Sequence, residues 1–237
     1  MKPLIISFAS KGREDYLKMS EKLYASVKEH WKYDYLFYTM DGSRDSFEGI
    51  KITQITELPQ PSKWKCNPHS ITPYQFKFGL IEHALEMGYN KIIWCDSSIS
   101  IEKCPLHLLE QSNKGIMAFH NLGHETINYI SDECKKILNC TELDLLAPQT
   151  WGGCIGFDFT KPEVKRIFDE IVSYSKKGAF DNTPNYPNHR HDQAVMSVLF
   201  HREGIVLYNY GHIVCYNPHG KEHFEFGTYY TFVYGKN

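Results

Sequence analysis

The sequence predicts an α/β fold, in which a mostly parallel central sheet is covered by helices on both faces and the C-terminal half is irregular. Three observations predict it. Up to residue 100, short β-branched or aromatic runs alternate with amphipathic helical patterns, the order that crossover connections between parallel strands require. The chain has 237 residues, 42% hydrophobic and 23% charged, enough to bury a sizeable core. No repeat, low-complexity tract or linker divides it, so a single domain over 1–237 is expected.

The elements follow in order. "LIISFAS" (4–10) reads as a strand and "REDYLKMSEKLYASVKEHW" (13–31) as a helix. "YDYLFYTM" (33–40) is a second strand and "IKITQI" (50–55) a third. "PYQFKFGLIEHALEMG" (73–88) has Phe76, Leu80, Ala84 and Leu85 at helical spacing. Its Gly88 is the expected stop, because glycine accepts the left-handed conformation just past a helix end. "KIIWC" (91–95) is an apolar strand. Beyond it, "GIMAF" (115–119) and "WGGCIGFDF" (151–159) read as strands. In "TKPE" (160–163), Thr160 is expected to cap a helix at 164–177, with Glu163 returning the bond. A long polar loop, "KKGAFDNTPNYPNHRH" (176–191), leads to a helix at 192–204 that ends on Gly204. The strand "IVLYNY" (205–210) and an aromatic, His-rich tail (212–230) complete the chain.

Composition narrows the function. A formal net charge of −2 gives no basic field for nucleic acid or an anionic membrane. The seven cysteines form no CxxC pair, and Cys95 and Cys154 sit in apolar runs, which reads as a reduced chain rather than a disulfide framework. The N-terminal apolar run is too short for a signal peptide and no stretch is long enough to span a bilayer. A soluble, cytoplasmic protein is expected. The 16 Tyr and 14 Phe supply core, and also the faces on which bases and sugars stack.

The candidate site begins with "KIIWCDSSIS" (91–100), an apolar strand that runs into an acid and two hydroxyls. In open α/β sheets ligands bind beyond the carboxyl ends of the strands, which is where Asp96 and Ser98 fall. Asp-Ser-Ser also favours a simple turn. Gly152 and Gly153 allow backbone to approach a ligand closely, or mark a bulge. Asp192 and Gln193 lie in the first turn of a helix, where an acid also serves as cap and dipole partner. His219 and Lys221 flank a late glycine. The pair His189 and His191 has the look of half a zinc site, but no third ligand at finger spacing accompanies it.

Taken in order, "IISFAS", "FGLIEHALEMGYNKIIWCDSSI", "GGCIGFDF", "HDQ" and "HGK" resemble the nucleotide-sugar glycosyltransferases of the GT-A fold, a Rossmann-like architecture. The likeness is nearest to the family of glycogenin and the bacterial lipopolysaccharide galactosyltransferases. It spans most of the chain and implies a nucleotide-binding half at 1–100 and an acceptor-side half at 101–237. That family ends its strand on Asp-x-Asp, which holds a divalent cation against the sugar-nucleotide diphosphate. Here Asp96-Ser97-Ser98 lacks the second carboxylate.

The resemblance implies a donor nucleotide sugar, with UDP expected, and a glycan or other hydroxyl acceptor. Asp96, Ser98 and His219 would hold Mn²⁺ or Mg²⁺. Magnesium commonly binds through one or two carboxylates plus phosphates and water, whereas an imidazole suits manganese better. Lys221 would neutralise phosphate, and Ala9, Ser10, Tyr16, Lys77, Gly152 and Gly153 would line the donor. Asp192 and Gln193 match the family's Asp-Gln pair beside the anomeric carbon. There Asp192 would be general base or sugar-hydroxyl acceptor. Two other classes use similar parts: a hydrolase with Asp96 and Asp192 as its carboxylates, and a non-catalytic sugar- or nucleotide-binding module, for which the lost acid argues.

Overall fold

A computed structural model describes residues 2–9, 14–39, 52–54, 73–181, 186–209, 214–216 and 232–234. The first strands and helices fall where hydrophobic periodicity puts them. They are β1 (Pro3–Phe8), α1 (Glu14–His30), β2 (Asp34–Thr39), β3 (Ile52–Gln54), α2 (Gln75–Glu86) and β4 (Lys91–Cys95). Next come β5 (Ile99–Ile101), α3 (Leu106–Gln111), β6 (Ile116–Glu125), α4 (Asp132–Leu138), α5 (Glu142–Leu145) and β7 (Pro148–Asp158). The chain continues with α6 (Pro162–Lys176), α7 (His191–Arg202), β8 (Tyr208–Asn209), β9 (Val214–Tyr216) and β10 (Phe232–Tyr234). Gly88 has φ +87°, as its place after α2 requires.

Among the described residues the main sheet has seven strands in the order β3-β2-β1-β4-β7-β6-β8. The pairings β2·β3, β1·β2, β1·β4 and β6·β8 are parallel, and β7 runs antiparallel to both β4 and β6. Alternate residues divide between two cores, the period of two that a strand imposes. Leu4, Ile6, Ile92 and Trp94 pack with α2, α4, α6 and α7. Ile5, Ile93 and Cys95 pack on the other face with α1 and α3. Both faces are covered, which is why Ile92, Ile93, Trp94 and Cys95 follow one another without a polar residue, after a Lys91 whose ammonium meets Glu110 and Asp158. A small second sheet, β5-β10-β9, lies at the carboxyl end of β4 and joins the second core through Phe232.

Several expectations are corrected. Thr160 does not cap α6. Its N–H and hydroxyl both donate to Asp158 Oδ1, at 3.1 and 2.6 Å, so the side chain is spent on the end of β7. Lys161 takes the cap position without a side-chain bond, and Pro162 supplies a pre-set φ at the helix start. The strand at 205–210 shrinks to Tyr208–Asn209, because pairing with β6 begins only there. β6 extends to Glu125 with register shifts, and β5, β9 and β10 are too short for alternation to reveal.

A capping box does occur, at α5. Thr141 Oγ1 accepts from Asp144 N at 3.3 Å, while Asp144 Oδ2 accepts from Thr141 N at 2.7 Å. The same carboxylate grips Arg202 of α7, with Nε to Oδ1 at 3.0 Å and Nη2 to Oδ2 at 2.8 Å. The Arg202 guanidinium pulls the Asp144 pKa down to about 2. A depressed carboxyl stabilises the fold above the ordinary carboxylate range, and that stabilisation disappears as pH falls towards the folded value. Asp144→Asn is expected to cost on the order of 2–3 kcal/mol from the lost cap and charge-assisted bonds. The melting temperature at neutral pH should fall by roughly 4–12 °C, with the gap to wild type closing in acid. An unchanged melt at neutral pH would remove this cluster from the account.

Candidate active site

Five segments converge where β4 ends. They are the carboxyl ends of β1 and β4, the N-terminal half of β7, and the first turns of α2 and α7. The antiparallel run of β7 sets Cys154 opposite Cys95 and lets Asp96 N donate to Gly153 O at 2.8 Å. The expected tight turn is present, closed by Ile99 N donating to Asp96 O at 3.0 Å. The turn holds the Asp96 carboxyl half-buried at the strand end, so turning the chain and presenting an acid are one arrangement.

The centre of the site is Lys77. Its side chain is buried, and Nζ donates to Asp192 Oδ2 and to Gly152 O, both at 2.8 Å. The ammonium also lies 5.2 Å from the Tyr74 ring centroid and 5.4 Å from that of Trp94, within cation–π range. Burial opposes its charge, but the carboxylates of Asp192 and Asp96 more than offset this and hold its pKa above the ordinary lysine value. Burial raises the Asp96 pKa; the nearby Lys77 ammonium and a bond from Trp94 Nε1 to Oδ1 at 2.6 Å act the other way.

Asp192 is not a helix cap. Arg190 holds the cap position of α7, and the Asp192 carboxylate turns inward to Lys77. Asp192 is fully buried, and its Oδ1 has no hydrogen-bond partner among the described residues. Orphaned buried oxygens are costly and rare. Gly152 is needed where it stands, since a Cβ there would lie 2.8 Å from Gln193 Cγ and 3.4 Å from Asp192 Oδ2. At Gly153 a Cβ would lie 2.4 Å from the Trp151 ring. The bulge reading holds as well: the β4–β7 register ends at Cys154, and the β6–β7 register shifts between Gly156 and Trp151, the stretch that contains both glycines.

Two bulky residues with left-handed backbone frame the pair. Tyr74, before α2, has φ +62°, and His191, opening α7, has φ +45°. Their rings lie 5.7 Å apart. Left-handed φ in non-glycine residues costs about 1–3 kcal/mol each and concentrates at functional sites.

The structure thus brings together Lys77, Asp96, Gly152, Gly153, Asp192 and Gln193. Ser98 is half-buried in the same turn, and Ala9 is buried at the end of β1. Tyr16 is a near neighbour of Tyr74, whose pKa burial pushes up to about 12. Ser10, His219 and Lys221 lie outside the described residues. Sequence reasoning missed Trp94, although its place two residues before Asp96 puts both on one side of the strand. It also missed Tyr74, and it named His191 only as one of a histidine pair; the backbone strain of both leaves no compositional trace.

In the histidine pair, both ring nitrogens of His189 are used. Nδ1 accepts from Ser131 N at 3.3 Å and Nε2 donates to Ala179 O at 3.0 Å. His191 Nδ1 donates to Phe180 O at 2.9 Å. Among the described residues no three His, Cys, Asp or Glu side chains form a metal cluster. Asp96 offers one carboxylate for a hard divalent cation, and Ser98 lies in the same turn. Such ions complete their shells with phosphate and water.

No family model and no curated protein matches the chain. Solved structures do. The bifunctional glycosyltransferase WbbM in its apo form matches with TM-score 0.58 and 14% identity over 98% of this chain, which spans 45% of that protein. Apo mouse xyloside xylosyltransferase 1 matches with TM-score 0.57 and 9% identity, over 99% of this chain and 98% of that one. The galactosyltransferase LgtC, in complex with donor and acceptor sugar analogues, matches with TM-score 0.52 and 11% identity, covering 99% and 87%. At these identities the likeness establishes the fold, which is the GT-A-like fold expected. No described helix is long and apolar enough to cross a membrane.

Proposed function

We propose that the chain is a glycosyltransferase that moves a sugar from a nucleoside-diphosphate sugar, a UDP-sugar, to an acceptor hydroxyl. The observation that carries this reading is the buried Lys77–Asp192 pair set against Asp96 and Gly152 at the carboxyl edge of a sheet that three sugar transferases share. Transfer requires the diphosphate to depart, and its oxygens gain charge as it does. A divalent cation held by Asp96 and Ser98 would stabilise that charge.

The chain's own residues do the rest. Trp94 Nε1 fixes one Asp96 oxygen and leaves the other to face the diphosphate. Lys77 holds Asp192 by Oδ2, which leaves Oδ1 to accept a sugar hydroxyl or its proton. Gly152 and Gly153 bring backbone close to the sugar. Entry of the sugar has to part the packing around Asp192, which is fully buried.

Calorimetric titration with UDP, in EDTA and in Mn²⁺, tests the donor and the cation together. Tighter binding in Mn²⁺ is expected. Equal affinity in both would remove the cation from the reading, and no binding in either would remove the UDP donor. Product analysis with a panel of sugar nucleotides then separates transfer from hydrolysis or binding alone.

A further inference from the structure

Beside the site lies a group of cation-capable side chains that the reaction outlined above does not use. Arg190, the residue before α7, is exposed, and its guanidinium lies 5.2 Å from the Tyr129 ring centroid. Its main-chain N–H donates to Tyr129 O at 2.9 Å, which fixes the arginine over the tyrosine. His124, near the end of β6, packs against the same ring with centroids 4.6 Å apart, and its Nδ1 is buried without a hydrogen-bond partner among the described residues. His120 is electrostatically close to His124, and the cationic forms of Arg190 and His120 both oppose a charge on it, as burial does.

Position gives the cluster its meaning. His120 stands opposite Thr150 in the β6–β7 register, two residues along β7 from Gly152. Arg190 O accepts from Gln193 N at 2.9 Å, within one helical turn of Asp192. An exposed arginine ordered on an aromatic ring, with an imidazole carrying an orphaned nitrogen packed on the same ring, is arranged to receive an anion.

We infer that Arg190, His124 and His120 form an acceptor subsite that binds an anionic group, a phosphate or carboxylate, carried by the acceptor saccharide. The inference rests on the transferase reading only for the word acceptor; the binding itself needs no donor. Arg190 supplies the planar donor fork that matches either group, and His124 supplies a second donor from the ring it shares with Tyr129. The anion would hold the sugar beside Asp192, where a hydroxyl would meet the free Oδ1.

The test is binding without any nucleotide present, so it stands whether or not transfer is detected. Glucose, glucose 6-phosphate and glucuronate are titrated against the whole chain and followed by ligand-observed NMR. At least one charged sugar should bind about tenfold or more tightly than glucose, as bonds to charged groups warrant. Arg190→Gln and His124→Gln should each cut that preference, with Arg190→Gln, an exposed change, leaving the melting temperature in place. Equal affinity for charged and neutral sugars, no binding of either charged sugar, or a preference that survives both variants would overturn the inference.

Discussion

Asp192→Asn is expected to lower sugar transfer by at least two decades, on the order of what loss of a positioned base costs, and to lower the melting temperature with it. The two effects have one cause. Asn keeps an oxygen for Lys77 but removes the charge that compensates a buried ammonium. Breaking a buried pair from one side typically costs about 3–5 kcal/mol. Gly152 O still accepts from Nζ and Asp96 is still near, so about 3 kcal/mol is the better expectation here. For a chain of this length that is a fall of roughly 6–12 °C.

A double variant separates structure from chemistry. Lys77→Met with Asp192→Leu replaces the pair by apolar groups, which is often neutral for stability. It should recover most of the melting temperature and none of the transfer. If Asp192→Asn melts early yet turns over normally, the pair is structural and the acceptor base lies elsewhere. The pH dependence has a definite sign. The Lys77 pKa is raised by its carboxylate partners, so its stabilisation is present through neutral pH and is lost only as pH rises past the ordinary lysine range.

What the sequence disclosed about this pair marks the limit of reading residues in order. Strand β4 was legible to the residue, because the apolar run Ile92–Cys95 after a single lysine reads as a strand once a helix with a glycine stop precedes it. The convergence of Asp96, Gly152 and Asp192 was legible only through the resemblance. Nothing local says that a lysine on α2 reaches a carboxylate 115 positions later. Taken locally, Asp192 had a cap or dipole reading beside the catalytic one, because acids are favoured at the N-terminus of a helix. The fold overrides that preference, since α7 packs on β7 and the first turn of α7 faces the interior, where Lys77 meets the charge. Thr160 failed for the mirror-image reason: its hydroxyl had a nearer acceptor in Asp158 than the helix it precedes. The short strands of the second sheet were invisible because three residues carry too little alternation to recognise.

Asp96→Asn should abolish transfer, by about 10²–10³-fold or more if charge stabilisation of the leaving group is what it supplies, while the melting temperature holds or rises. The carboxyl is half-buried and its pKa is raised, first by desolvation and then by the Asp192 charge. A carboxyl raised in this way favours the fold when protonated, and that contribution is lost as pH climbs through its folded value. Holding Asp96 ionised in the fold is therefore a cost that the Asn variant does not bear. Asn retains an oxygen for Trp94 Nε1, and the turn itself is closed by backbone, with Ile99 N donating to Asp96 O at 3.0 Å. A residue whose task is only to turn the chain would give the reverse pattern, with activity kept within a few-fold. Thermal melts and initial rates on the same preparation, at neutral pH and again near pH 5, read both quantities. Loss of rate with an equal or higher melt assigns the Asp96 charge to the substrate. Retained rate returns Asp-Ser-Ser to a turn that happens to end a strand.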